Sequence, residues 1–341
     1  MLFVLWSTVG FAAEIPSGAL ADRFSRRKAL VASGLLQAVG YVLWMTLPGF
    51  SAFAAGFVLW GLGGALASGA FEALLYEGLA DYDAEDHYLR MNSAVNAIGL
   101  LSQIPAAGLA ALLYWLGGYS LVGWVSIGVC LSASLLATRL PEAARAAGRS
   151  HKTEDYLCTL RSGLSEAMAQ PAVRAAVIAA AVVAGLDGLE EYFPLMARTW
   201  GVPTAIVPIA VLAMPLAGAA GAALGSRADR LGARALTLIL FAALVVLVST
   251  ALVALPVALV GVAIFYALHQ MILVVVEARL QERIEGPSRA TVTSIAGLGT
   301  EVAAMVLFAA WAFGGLGLVA GLWLLACTGL PGWLRRPVTG P

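Results

Sequence analysis

Eight carboxylic acids interrupt long apolar stretches of this chain: Glu14, Glu72, Glu77, Asp187, Glu190, Glu191, Glu277 and Glu301. No Lys or Arg sits comparably deep, and His269 is the other ionisable residue at the middle of an apolar run. An acid at the centre of a membrane helix costs roughly 2.5–3.5 kcal/mol on insertion scales. Such groups face a wet cavity, carry a proton, or pair with a base. Bases are scarce here, which leaves an aqueous cavity and groups suited to exchanging protons.

The sharpest group is Asp187-Gly-Leu-Glu190-Glu191. On an α-helix, positions i, i+3 and i+4 share one face. Like charges that close do not all ionise. The trio is a candidate site for proton coupling or for a cationic substrate; the plainer reading is a hydrated rim of an outer vestibule. His269, beside Gln270, is either a cavity-lining relay or a packing residue. Glu72 and Glu301 are candidate cavity groups. Asn92 and Asn96 read as caps or interface hydrogen bonders, and the Trp and Tyr residues mostly as interfacial anchors. Cys130 and Cys327 lie in apolar runs and Cys158 in a polar loop; their spacing makes neither a metal site nor a disulfide framework. No catalytic residue, metal or cofactor is expected.

The elements that position these groups follow from composition. The 341 residues are 61% hydrophobic and 12% charged. A soluble domain has about 45–50% apolar and about 25% charged residues. Twenty Lys/Arg and twenty Asp/Glu leave a net charge of zero. That balance argues against a soluble enzyme, a disordered chain and a nucleic-acid binder, which needs a basic surplus. Spans need about 20 residues each, and the apolar runs place eleven of them at 2–21, 29–47, 52–79, 93–116, 120–140, 172–197, 204–224, 235–255, 257–278, 290–312 and 316–334. The expected fold class is an all-α membrane protein. Breaks fall at Pro48-Gly49, Gly117-Gly118, Leu255-Pro256 and Gly314-Gly315. Alternate loops collect 19 of the 20 basic residues, leaving Arg198 on the other side. The basic side is expected to be cytoplasmic, with the C-terminus inside and the N-terminus outside. Met1 opens directly into an apolar run, which reads as a span rather than a signal peptide. The expected domains are a five-span bundle over 1–140, a linker over 141–171 and a six-span bundle over 172–341. In the linker Tyr156, Leu160, Leu164 and Met168 recur every four residues, as in an amphipathic helix on the inner membrane face; the alternative is a plain connector.

A motif recurs across these halves. Gly18-Ala-Leu-Ala-Asp22-Arg23-Phe-Ser-Arg26-Arg27-Lys28 follows the first span, and Gly225-Ser-Arg-Ala-Asp229-Arg230-Leu-Gly232-Ala-Arg234 occurs 207 positions later, six spans on. A six-span period is what a two-fold repeated transporter has. Here the chain resembles the major facilitator superfamily (MFS), whose signature G-x-L-A-D-R-x-G-R-[RK] lies between the second and third helices, with a weaker copy between the eighth and ninth. The run from Glu14 to Arg23 and Glu72-Ala-Leu-Leu-Tyr76-Glu77 are similar to a bacterial subset of it. Ser25 stands where Gly is usual, which places the loop geometry in question. Gln103-Ile-Pro105-Ala-Ala-Gly108 partly resembles the superfamily's antiporter motif, with Ile104 replacing a glycine. The first copy has one span before it and the second has two, so the first of twelve helices is missing by this resemblance. A start codon assigned too late, a truncation or a true eleven-span protein would each account for that.

The resemblance implies a conformational latch. Gly18 and Gly225 let helices approach closely, Asp22 sits where a helix N-terminus favours an anion, and Arg26 needs a carboxylate, for which Glu77 is the candidate. Arg23, Arg27, Asp229 and Arg230 complete the set, and Asp22 would face the helix beginning near Arg289. The alternative is that these basic residues set topology alone. Ala233 takes the place of Arg26 in the second copy, so that side is expected to be weaker.

The function implied is secondary active transport of a small molecule by alternating access, proton-coupled, with efflux of cationic or neutral amphipathic compounds ahead of nutrient uptake. Acids without deep bases suit such cargo better than anions. Expected partners are the substrate, protons and the bilayer of a bacterial-type cytoplasmic membrane, with no nucleic acid and a monomeric chain. A transport-incompetent remnant is a further reading. A membrane enzyme using Asp81-Tyr-Asp83-Ala-Glu85-Asp86 with Asp187 and Glu190 on a metal-bound diphosphate is disfavoured, because the two clusters are assigned to opposite sides. No Walker sequence is present, so ATP is not the direct driver.

Overall fold

The computed structural model describes residues 1–81, 84, 87–141, 170–228, 230–283 and 289–333; within its helices the side chains of 14–24, Glu72 and Glu77, with a few others, lie outside that description. Every regular element among the described residues is a helix. Large apolar side chains stand exposed along these helices, Leu252 at 82% and Trp115 at 76% among them. Water would penalise so much open apolar surface; a lipid environment does not. Eight helical stretches among the described residues are long and apolar enough to cross a bilayer.

The chain divides into two compact units, Met1–Thr153 and Glu154–Pro341. The first contains α1 (Leu2–Phe24), α2 (Arg26–Thr46), α3 (Phe50–Ala80) and α4 (Tyr88–Ala137). Helix α2 packs on α3 and α4, and α1 on α3. Its buried face is made of small residues, Ala29, Ser33, Gly34, Ala38 and Gly40. A side chain at Gly34 would meet Ser134 of α4, and one at Gly40 would meet Trp60 of α3. Small residues at such seams bring backbones together, and van der Waals packing holds helices in lipid where the hydrophobic effect does not. Ser134 also donates to the Val31 carbonyl across the α2–α4 seam at 3.0 Å.

Helix α4 is 50 residues long. At 1.5 Å per residue that is about 75 Å, roughly twice what one tilted crossing needs. The backbone breaks at Gly117 and Gly118, the latter at φ 62, so two crossings follow one another without a loop. Gly315, at φ 56, does the same in the last helix. Both breaks fall where the glycine pairs of the sequence place them.

The second unit contains α5 (Pro171–Gly185), a 3₁₀ segment (Leu186–Tyr192), α6 (Phe193–Thr199), α7 (Val207–Val211), α8 (Ala213–Ala228), α9 (Ala233–Val253), α10 (Leu259–Arg283) and α11 (Arg289–Trp333). The expected span 172–197 is thus an α–3₁₀–α composite, and α10 runs five residues past its expected end at 278. Helix α8 lies closely along α10: side chains at Gly218, Gly221 and Gly225 would strike Tyr266, the Ala267 carbonyl and Val274. Their spacing of three and four residues keeps all three on one helix face. Helix α5 meets α11 in the same way, with Gly185 against Ala303 and Gly299 against Ala181. Phe193, Phe265, Leu307 and Trp323 are fully buried in this unit. The candidate amphipathic helix of the linker lies outside the described residues, which omit 142–169.

Candidate functional site

The acids of the sixth expected span sit on the 3₁₀ segment, and this changes their geometry. A 3₁₀ turn has three residues. Asp187 and Glu190 therefore eclipse one another, while Glu191 is turned about 120° away. The expectation of three acids on one α-helical face is corrected accordingly: two face α10 together and the third does not. At this break a side chain on Gly185 would strike Ala303 of α11, and one on Gly188 would press tightly on the Phe308 ring.

Helix α10 supplies the partners. Gln270 Nε2 donates to Asp187 Oδ1 at 2.7 Å. Tyr266 Oη donates to a Glu190 carboxyl oxygen at 2.9 Å. His269 Nε2 lies 3.4 Å from Asp187 Oδ1, an ion-pair distance were the ring protonated. Neither ring nitrogen completes a hydrogen bond within the described structure. The imidazole is 1% exposed; it stacks on Phe265 and meets Trp323 edge-on. It is therefore enclosed by aromatics with its polar edge towards Asp187, so packing and contact with the acid are both realised. Asp187 itself is 29% exposed.

Two of these residues were not evident as site residues. Tyr266 is 7% exposed at mid-helix, not an interfacial anchor, and its spacing of four from Gln270 was the available signal. Gly218 contributes by lacking a side chain: a Cβ there would come 2.8 Å from the Tyr266 ring and 3.1 Å from Gln270 Cγ. It thus leaves room for both donors to reach the acids.

Below this cluster α10 continues as a polar stripe. Tyr266, Gln270, Glu277 and Gln281 are spaced by four, seven and four residues, which keeps them on one face over about 22 Å. Glu277 and Gln281 line a cleft of ≈ 480 Å³ within the second unit, opposite Thr293 and Thr300 of α11 and Ala180 of α5. Gln281 Nε2 donates to the Thr293 hydroxyl oxygen at 3.1 Å. Glu301 is half-buried on α11 next to Thr300. The side chain of Glu72 lies outside the described residues.

The repeated motif is seen in part. In the first copy Asp22 and Arg23 fall in the last turn of α1 by their backbone; their side chains, with those of Gly18's neighbours and Glu77, are not described. Ser25 has φ 173, extended backbone open to any residue, and its hydroxyl accepts from the Lys28 amide at 3.1 Å. Serine is thus an N-cap of α2, and the doubt about this turn is removed. Arg27 Nη1 reaches the Leu140 carbonyl at 3.4 Å, and Arg26 is half-buried with contacts of its own. In the second copy Gly225 abuts Val274 and Arg230 is exposed, while Asp229 is outside the described residues. Arg279 of α10, 2% exposed, donates to the Leu231 carbonyl at 2.8 Å. The turn with Ala233 in place of an arginine is therefore braced from α10, a role no local pattern announced. Arg283 extends the bracing, donating to the Trp333 carbonyl at 2.6 Å.

Among the described residues no group of three or more His, Cys, Asp or Glu could hold a metal ion. The family description "Major Facilitator Superfamily" matches residues 1–321. No curated protein matches the chain. Among solved structures, the nucleoside transporter NupG, as a point mutant, superposes with a TM-score of 0.70 at 13% identity, over 98% of this chain and 89% of that one. A bacterial homolog of the human lysosomal transporter Spinster, inward-facing and occupied, gives 0.64 at 16% identity over 97% and 84%. The unoccupied inward-facing form of the same homolog gives 0.63 at 19% identity over 97% and 85%. At these identities the superpositions speak to the fold, and the match over residues 1–321 speaks to the family. The chain is a multi-pass membrane protein that belongs to the Major Facilitator Superfamily.

Proposed function

We propose that this chain is a proton-coupled secondary transporter that exports cationic or neutral amphipathic compounds across a bacterial-type cytoplasmic membrane by alternating access. The observation that carries the reading is the pairing of two intramembrane carboxyls with neutral donors: Gln270 on Asp187 and Tyr266 on Glu190. An amide and a phenol hold a carboxyl in place whether or not it is protonated. A permanently charged Lys or Arg would instead pin it in its charged form. His269 beside Asp187 offers a second titratable group for the same proton. Protonation that differs between two conformations biases their populations, and that bias is the coupling. Glu277, two turns beyond Gln270, extends acidic character along the same face towards the end of α10 that carries Arg279 and Arg283.

The latch residues fit this cycle as devices that hold one conformation until the proton or cargo arrives. In the second copy Arg279 would carry that task. The test is flux in proteoliposomes with an imposed pH gradient, across a panel of organic cations, neutral amphiphiles, nucleosides and sugar phosphates. Gradient-driven movement of organic cations or neutral amphiphiles against the proton flow is the expected result. Movement of nucleosides or other nutrients with the proton flow would reassign the protein to uptake. Flux indifferent to the gradient would remove proton coupling.

A further inference from the structure

The cleft of ≈ 480 Å³ in the second unit has a chemistry distinct from that of the paired acids. Its volume falls within the roughly 300–1,000 Å³ of small-molecule sites. Hydrogen bonds between helices fix what faces Glu277. Gln270 of α10 meets Asp187 just past α5, and Arg283 of α10 meets the Ala172 carbonyl at the start of α5 at 3.3 Å. The two helices are therefore antiparallel. Glu277, midway between Gln270 and Arg283, stands level with Ala180, midway between Ala172 and Asp187. Gln281 meets Thr293 of α11. One turn back along α10 is Glu277, and one turn on along α11 is Gly297. All of these residues but Ala172, Asp187, Gln270 and Arg283 line the cleft. The Glu277 carboxyl thus has an alanine and a glycine at its level, and a Cβ built on Gly297 would meet nothing within 4 Å.

The polar groups of the cleft present mainly acceptors. A carboxylate only accepts. Gln281 spends an N–H on Thr293 and keeps its carbonyl oxygen. Thr300 donates to the Ala296 carbonyl at 3.1 Å, which leaves its oxygen to accept. Glu277 is exposed, and an acid within a membrane helix takes such a position facing a wet cavity rather than acyl chains. A primary ammonium is the complement of this set, with three N–H donors, no acceptor and a positive charge. The walls contributed by Ala180, Ala184, Ala278 and Ala296 are short and aliphatic, which suits a compact alkyl body. A quaternary ammonium offers no N–H to these acceptors and is recognised by aromatic faces instead; the described residues lining the cleft include no aromatic ring.

We propose that this cleft is the cargo site and takes a primary aliphatic amine, its ammonium on Glu277, Gln281 and Thr300 and its alkyl body against the alanines of α5 and α11. This rests on the transport reading above and narrows its cargo to amines that carry N–H donors. Gly297 keeps the site open by lacking a side chain.

Isothermal titration calorimetry of the full chain in lipid nanodiscs, at neutral pH in an amine-free phosphate buffer, tests the proposal. The probes are cyclohexylamine, N,N,N-trimethylcyclohexylammonium and cyclohexanol, with empty nanodiscs as the lipid background. Cyclohexylamine is expected to bind saturably. The trimethylated probe lacks the N–H donors and the alcohol lacks the charge, so each is expected to bind about ten-fold more weakly or worse. Glu277→Gln exchanges a charge-assisted hydrogen bond for a neutral one and is expected to weaken cyclohexylamine about ten-fold. Gly297→Leu keeps the acid, has open space at its Cβ, and is expected to weaken binding at least as much by filling the cleft. Glu282→Gln removes an exposed acid of α10 that does not line the cleft and is expected to bind like the parent. Undiminished binding in Glu277→Gln or in Gly297→Leu would overturn the proposal. So would equal binding of the trimethylated probe, an equal loss in Glu282→Gln, or no saturable binding of cyclohexylamine. Affinity is measured without a pH gradient. Failure of the proton-coupling reading would therefore appear in flux and leave these affinities unchanged, whereas failure of the amine site would leave the gradient dependence of flux standing.

Discussion

Replacing Asp187 by asparagine separates the fold from the proposed proton coupling. The side chains are nearly isosteric, and the amide retains an Oδ1 that can accept from Gln270, which stands at 2.7 Å. What changes is the charge. A hydrogen bond to a charged group contributes about 1.5–3 kcal/mol and a neutral one about 0.5–1.5 kcal/mol, so the exchange removes about 1 kcal/mol. Against this, the amide avoids part of the roughly 2.5–3.5 kcal/mol cost of an acid in a membrane helix. The two effects oppose one another and leave the folded state within about 2 kcal/mol of the parent. The variant is therefore expected to insert, purify and melt like the parent, while losing the proposed proton site. In vesicles, flux driven by a pH gradient should fall to the level of empty vesicles, and substrate exchange without a gradient should persist. Gradient-driven flux at the parent rate in Asp187→Asn would refute the assignment of coupling to this residue. A variant that fails to fold would refute the energetic argument.

Two further outcomes follow from the packing. Ser25→Ala should lower stability by about 1 kcal/mol through loss of the α2 cap, whereas Ser25→Gly should cost only a few tenths; thermal or chemical unfolding midpoints of the three proteins decide this. Gly221→Val drives a side chain into the Ala267 carbonyl of α10, and overpacking of this kind costs typically about 1–3 kcal/mol, more when backbone is struck. Its yield of monodisperse protein should collapse, whereas Gly317→Ala, with open space around its Cβ, should match the parent in size-exclusion profile.

Much of the architecture was legible in the sequence because lipid imposes strong local rules. Apolar runs give the helices, and Gly117-Gly118 and Gly314-Gly315 mark breaks that only glycine-permitted backbone can make. The repeated Gly225 predicts a close approach and finds Val274. The acids at 187 and 190 stood out because charge in an apolar run is costly. What stayed hidden depends on neighbours distant in sequence. The shift to 3₁₀ geometry that turns Glu191 away arises where α5 meets α11, and no local pattern signals it. Tyr266 looks like an anchor until α10 is placed against Glu190. Gly218 is one glycine among 37 until Tyr266 and Gln270 are seen to need its space. Arg279 counts as one more inner-side cation until its guanidinium is found buried on the Leu231 carbonyl.

Water at the paired acids is the premise on which the transport reading rests, and thiol labelling measures it. In a background with Cys130, Cys158 and Cys327 replaced by serine, Glu190→Cys and Leu189→Cys are compared for reaction with a membrane-impermeant, water-soluble maleimide. Glu190 is exposed and Leu189 is 1% exposed. Rapid modification is expected at 190 and protection at 189, with substrate slowing the reaction at 190. Equal inertness at the two positions would mean that the acids lie dry, and the aqueous pathway through this unit would be contradicted.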